Sequence, residues 1–111
     1  MNLELHKEDG YATITISGHI DLGTSPELRR ICLDLSRKKT QKIVIDVTDV
    51  SYIDSSGVAT LVELLQRIAD YQGKMALVGI NERAREVFEI TNLAGVFKFY
   101  DSAEEALGEM Q

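Results

Sequence analysis

The chain is short of the residues that build redox, metal and nucleophilic centres. Its 111 residues hold one cysteine, two histidines and one proline. With Cys32 alone, no internal disulfide can form. Cys32 shares the apolar face of an expected helix with Leu28, Ile31 and Leu35, and no base neighbours it in the pattern, so it reads as a buried, inert thiol. His6 and His19 fall on a polar strand face and in a loop of the first quarter, where a lone imidazole is solvated rather than metal-bound. No metal or cofactor is expected. Basic residues are also in deficit, with 12 Lys and Arg against 18 Asp and Glu and a formal net charge of −6. The one basic cluster, Arg37-Lys38-Lys39, reads as a helix end, where cations favour the dipole, so nucleic acid is not an expected partner. No apolar run approaches membrane-spanning length, and Met1-Asn2-Leu3-Glu4 lacks the basic and apolar regions of a signal peptide. A cytoplasmic location without direct membrane contact is the expectation. The Gly-x-x-x-x-Gly-Lys-Ser/Thr, Gly-x-Gly-x-x-Gly and Gly-x-Ser-x-Gly motifs are all missing, so an enzyme is not expected.

What is present is an ordinary globular composition, 44% hydrophobic and 27% charged, in a length that suits a single domain over residues 1–111. Leu3 and Leu5 alternate with Asn2, Glu4 and His6 as a first strand. After a turn at Glu8-Asp9-Gly10, Ala12, Ile14 and Ile16 alternate with Tyr11, Thr13, Thr15 and Ser17 as its hairpin partner. Gly18-His19-Ile20-Asp21 reads as a loop. Ser25 and Pro26 read as the cap and first position of a helix. The stretch 42–47 is apolar on both faces apart from Asp46, which predicts a central strand. A second helix after Asp54 places Val58, Leu61, Val62, Leu65 and Ile68 on one stripe and stops at Gly73, a suitable left-handed residue. Ala59 and Leu64 fall off that stripe, either as exposed partner contacts or as tolerated surface. Lys74–Val78 and Val96–Phe99 read as strands. Asn81 caps a short helix with Ala84, Val87 and Phe88 inward, and Ser102-Ala103-Glu104-Glu105 has capping-box spacing. Strands and helices alternate after residue 20. The expected fold class is therefore α/β: a mixed sheet of four to five strands with an N-terminal hairpin, packed against about four helices.

The most informative run is Val50-Ser51-Tyr52-Ile53-Asp54-Ser55-Ser56-Gly57-Val58, where an apolar strand leads into a helix. Two hydroxyls and a carboxylate there meet a helix N-terminus, whose free N–H groups and dipole favour an anion. A phosphate on Ser55 would be held by the same groups. On local chemistry alone, Asp54-Ser55-Ser56-Gly57 reads most simply as a helix cap worth about 1 kcal/mol.

The segment Ile45-Asp46-Val47-Thr48-Asp49-Val50-Ser51-Tyr52-Ile53-Asp54-Ser55-Ser56-Gly57 resembles the central signature of the STAS-domain family, in particular its anti-sigma factor antagonists. Gly18-His19-Ile20-Asp21, Gly73-Lys74-Met75-Ala76-Leu77-Val78 and Val87-Phe88-Glu89-Ile90-Thr91-Asn92-Leu93 resemble further family segments in the family's order. The resemblance implies partner switching. The unphosphorylated protein binds an anti-sigma factor that is also a serine kinase, phosphorylation releases it, and a metal-dependent PP2C-type serine phosphatase resets the cycle. Matched position by position, the resemblance implies that Ser55 accepts the phosphate. Asp21 and Asp54 match acidic positions beside it, and Ser56, Gly57 and Val58 complete the partner-binding segment. The rival implication is a small cytoplasmic STAS subunit of a bacterial lipid-transport ABC system.

Overall fold

A computed structural model of the chain describes residues 1–110. Five strands form one sheet in the order β1-β2-β3-β4-β5: β1 (Asn2–Glu8), β2 (Tyr11–Ile20), β3 (Lys42–Ile53), β4 (Lys74–Val78) and β5 (Phe99–Tyr100). The hairpin β1–β2 is antiparallel, pairing Leu3 with Ile16 and Leu5 with Ile14. The remaining neighbours are parallel, as crossover connections through helices require. Those helices are α1 (Ser25–Arg37), α2 (Ser55–Ala69), α3 (Glu82–Ile90) and α4 (Ala103–Glu109). The expected mixed α/β sheet with four helices is what the chain adopts.

The period-2 alternation of the strands divides the core. Ile14, Ile16, Ile43, Ile45 and Leu77 face α1, α2 and α3 in the main cluster, while Val44, Ala76 and Val78 face Ala106 of α4 and Met110 just past its end. This is why β3 and β4 are apolar on both faces and β2 on only one. Cys32 is buried in the main cluster, and burial pushes its thiol up to about 12, with Glu63 adding to the effect, so it stays protonated and unreactive.

Several local expectations change in the fold. The segment Gly18-His19-Ile20 is not a loop: β2 runs on to Ile20 with register irregularities after Thr15 and Gly18, the latter at φ +90°, a conformation that suits glycine. Likewise β3 continues to Ile53, well past residue 47. Thr24, not Ser25, occupies the N-cap position of α1, and Pro26 is its second residue. At the end of α2 it is Gln72 that takes the left-handed conformation, at φ +63°. Gly73 serves instead by its lack of bulk, since a Cβ there would lie 2.9 Å from Tyr71 and 3.0 Å from Ile68.

Leu64 is not a surface residue; it is 1% exposed. The stripe reading allowed α2 one apolar line against the sheet, but α2 also packs along α1, so its buried face widens to take in Thr60 and Leu64. Ala59 does stay exposed. Arg29 of α1 grips Glu63 of α2 through two bonds of 2.7 and 2.9 Å, and Arg67 reaches the same carboxylate at 3.3 Å. Last, β5 is only Phe99–Tyr100 rather than 96–99, because a Val96 N–H bond to the Leu93 carbonyl draws the preceding segment into a turn.

Candidate functional site

Two strand-to-helix junctions lie side by side at one end of the sheet. Ile20 and Ile53 are register partners at the ends of β2 and β3, and each strand leads within a few residues into α1 or α2. The Asp54 N–H donates to the Ile20 carbonyl at 3.0 Å and fastens the junctions together. Residues 33 positions apart in sequence, Asp21 and Asp54, thereby come to one surface.

Asp21 organises its own turn. Its Oδ1 accepts the N–H groups of Gly23 at 3.0 Å and Thr24 at 3.1 Å, while its own N–H donates to Thr24 Oγ1 at 2.9 Å. The Thr24 hydroxyl donates in turn to the His19 carbonyl, 2.9 Å away. This is the side-chain mimicry of a backbone turn at which Asp excels.

Asp54 caps α2. Its Oδ1 accepts the N–H groups of Ser56 at 2.9 Å and Gly57 at 3.2 Å, and the Ser56 hydroxyl at 2.5 Å. The Ser56 hydroxyl holds the Asp54 carboxyl below the usual carboxylate range; the amides of Gly57, Ser56 and Leu22 add to this, against a desolvation cost of opposite sign. The two serines therefore differ sharply. Ser56 Oγ is committed to Asp54 and also lies 3.5 Å from Ser25 Oγ, which is buried at the start of α1. Ser55, the first residue of α2, is exposed, and its hydroxyl has no hydrogen-bond partner among the described residues.

The amides expected to receive a Ser55 phosphate are thus already satisfied in part. Asp54 occupies those of Ser56 and Gly57, so a phosphate would meet a carboxylate there as well as a helix terminus.

Of the six residues expected at the site, Asp21, Asp54, Ser55 and Ser56 reach the surface, whereas Gly57 and Val58 are buried. Their place is structural. A Cβ at Gly57 would stand 2.7 Å from Ile20 Cγ2 and 2.8 Å from Ile53 Cγ1, so glycine is what lets α2 close onto both strand ends. Val58 packs in the core beneath it.

Two surface residues went unread in the sequence. Leu22 is 77% exposed in the turn between β2 and α1, and its backbone amide is one of those that favour the ionised Asp54. Tyr52 is 46% exposed and meets His19 edge-on, with ring centroids 5.8 Å apart. An apolar residue inside an otherwise polar turn, as in Asp21-Leu22-Gly23, was the available signal for the first.

The profile of the STAS domain matches residues 2–106, nearly the whole chain. The chain belongs to the STAS domain family. Among curated relatives of this STAS domain, the anti-sigma-B factor antagonist of Staphylococcus aureus (strain NCTC 8325 / PS 47) is 26% identical over 104 residues, covering 94% of this chain and 96% of the relative. A Thermotoga maritima protein of known crystal structure superposes with a TM-score of 0.90 at 27% identity, over 97% of this chain and 93% of that one. The Bacillus cell fate determinant SpoIIAA, solved in its phosphorylated form, shares the fold with a TM-score of 0.77 at 19% identity, over 99% of this chain and 100% of that one. No described helix of the domain is long and apolar enough to cross a membrane.

Proposed function

We propose that this STAS domain is an anti-sigma factor antagonist in a phosphorylation-controlled partner switch. Its unphosphorylated form binds an anti-sigma factor that is also a serine kinase and so frees a sigma factor. Phosphorylation of Ser55 releases the complex, and a PP2C-type phosphatase restores the binding form. The carrying observation is the contrast between the two hydroxyls: Ser55 Oγ is exposed and uncommitted, while Ser56 Oγ is held by Asp54 and neighboured by Ser25. The resemblance to anti-sigma-B factor antagonists and to a protein known in a phosphorylated form supports the reading.

The electrostatics point the same way. A phosphoserine carries a charge of about −1.5 to −2. The α2 terminus returns about 0.3–2 kcal/mol at most, and Asp54 already holds part of that capacity. In a closed interface the phosphate would also be desolvated beside Asp54, which costs several kcal/mol. A net loss of about 3 kcal/mol is already around a hundredfold in affinity. Release with the fold intact follows. Asp21, Asp54, Ser55 and Ser56 form the polar part of the docking surface, with Gly57 and Val58 holding α2 in place beneath them.

The test is a pull-down from the native host's lysate with wild type, Ser55→Ala and Ser55→Asp, with bound proteins identified by mass spectrometry and phosphate mapped on the recovered chain. Wild type and Ser55→Ala should retain a kinase-like anti-sigma factor and Ser55→Asp should lose it. Phosphate should sit on Ser55. Phosphate found mainly on Ser56, or a folded Ser55→Asp that binds like wild type, would refute the mechanism; capture of a transport ATPase subunit would favour the transporter reading.

A further inference from the structure

At the end of the sheet away from Ser55, the shortness of β5 leaves a gap. The N–H groups of Leu77 and Gly79 both donate to the β5 side, to the carbonyls of Lys98 and Tyr100 at 2.9 and 3.0 Å. Strand alternation aims the Met75 N–H the same way. Continued by two residues, β5 would have brought the Val96 carbonyl to it, but Val96 is turned away toward Leu93. The Met75 N–H finds no acceptor on that side among the described residues, although Met75 is only 5% exposed. Among the described residues the Met75 N–H therefore stays available to donate into the space that a longer β5 would have filled.

A cleft of about 440 Å³ opens at this place, within the usual size of a small-molecule site. Its apolar lining comes from Leu65, Met75, Val96 and Met110. Lys74 and Lys98 stand at it, and neither makes an ion pair among the described residues. Two lysines with no ion pair among the described residues thus line one cleft, in a chain with eighteen acidic residues and twelve basic ones. Tyr100 adds a hydroxyl, and Glu109 is the one carboxylate on the lining among the described residues.

We propose that this cleft binds a small organic carboxylate with a short aliphatic body. The carboxylate fits between the lysines and the Met75 amide, where charge-assisted donors gather. The chain lies on the two methionines and Leu65, side chains that adapt readily to a flexible apolar ligand. Glu109 disfavours a more highly charged ligand such as a phosphate. Leu65 lies ten residues along α2 from Ser55, about 15 Å at the helical rise, so the cleft is separate from the phosphorylation surface and the proposal stands independently of it.

The methionine methyls are built-in reporters: Met75 and Met110 line the cleft, and Met1 lies at the opposite end of the sheet, against Gly18. The full chain, labelled with 13C at methionine methyls, is titrated by NMR with octanoate, acetate, 1-octanol and inorganic phosphate. Octanoate should shift Met75 and Met110 saturably, with a Kd of about 1 mM or tighter for a ligand of its size, and leave Met1 in place. Acetate, octanol and phosphate should each bind at least about tenfold more weakly. The Lys74→Gln, Lys98→Gln double variant, altered only at exposed side chains, should keep its circular dichroism and lose at least about tenfold in octanoate affinity. Absence of saturation, equal shifts at Met1, equal binding of octanol or phosphate, or undiminished binding by the double variant would overturn the proposal.

Discussion

The placement of Ser55 depends on the missing side chain at Gly57, and Gly57→Ala tests that dependence. The added Cβ would stand 2.7 Å from Ile20 Cγ2, 2.8 Å from Ile53 Cγ1 and 3.2 Å from Ile53 Cδ1. Carbon atoms rest at about 3.5–4.0 Å, so the shortfall against the first two is about 1 Å. Both isoleucines are buried, and the atoms met first are branches next to the backbone rather than flexible tips. Relief must come from α2 lifting away from the strand ends or from the strands bending. Such overpacking costs about 1–3 kcal/mol, against a helix-propensity gain for alanine of at most about 1 kcal/mol, and less in the first turn. A net loss of about 1–2 kcal/mol follows, which lowers the melting temperature by roughly 4–12 °C in a domain of this size. Calorimetry or denaturant titration measures the loss. Amide shifts in a 15N spectrum should concentrate at Ile20, Ile53 and residues 54–58. An unchanged or raised melting temperature would refute the reasoning, because α2 would then have room to spare.

The remaining predictions follow from the two aspartates. Asp54 has a depressed pKa in the folded state, so the unfolded chain takes up its proton first on acidification. The stabilisation from Asp54 is complete above the unfolded carboxylate range and disappears as pH falls through the folded value. Asp54→Asn should therefore be less stable than wild type at neutral pH, with the gap closing in acid; a gap that stays constant from pH 7 to pH 2 would assign the effect to hydrogen bonding alone. Asp21→Asn keeps the Oδ1 acceptor used by Gly23 and Thr24 and should melt near the wild-type temperature, while partner binding or Ser55 phosphorylation falls. Equal binding and phosphorylation would leave Asp21 as a turn residue only. Asp21→Ala, which removes the acceptor, should cost about 1 kcal/mol by analogy with a lost cap.

Much of the site was legible because its parts are local. A carboxylate bonding amides two and three residues ahead is a short-range arrangement, so Asp54 as the cap of α2, Asn81 as the cap of α3 and Ser102 as the cap of α4 could all be read from residue type and spacing. Local chemistry did not make the difference between Ser55 and Ser56 legible; only the family resemblance singled out Ser55 and left Ser56 as the structural hydroxyl. Adjacent serines look alike in a sequence, and only the placement of Ser25 at the start of α1, together with the Asp54 rotamer, commits one hydroxyl and leaves the other free. The burial of Gly57 and Val58 was hidden for the same reason, since it depends on Ile20 and Ile53 arriving from two strands.

The sequence by itself determined the order and type of the elements, the parallel sheet with its antiparallel hairpin, and the apolar faces of β3 and β4, because hydrophobic period and helix-end chemistry act within a few residues. Tertiary structure alone decided the lengths of β2, β3 and β5, the burial of Leu64 and the meeting of Asp21 with Asp54. Strand length is set by the neighbour available to pair with: β2 and β3 extend each other to Ile20 and Ile53, whereas β5 stops where Val96 is drawn toward Leu93. Leu64 is buried because a second helix lies along α2, and no stripe on α2 alone encodes that helix.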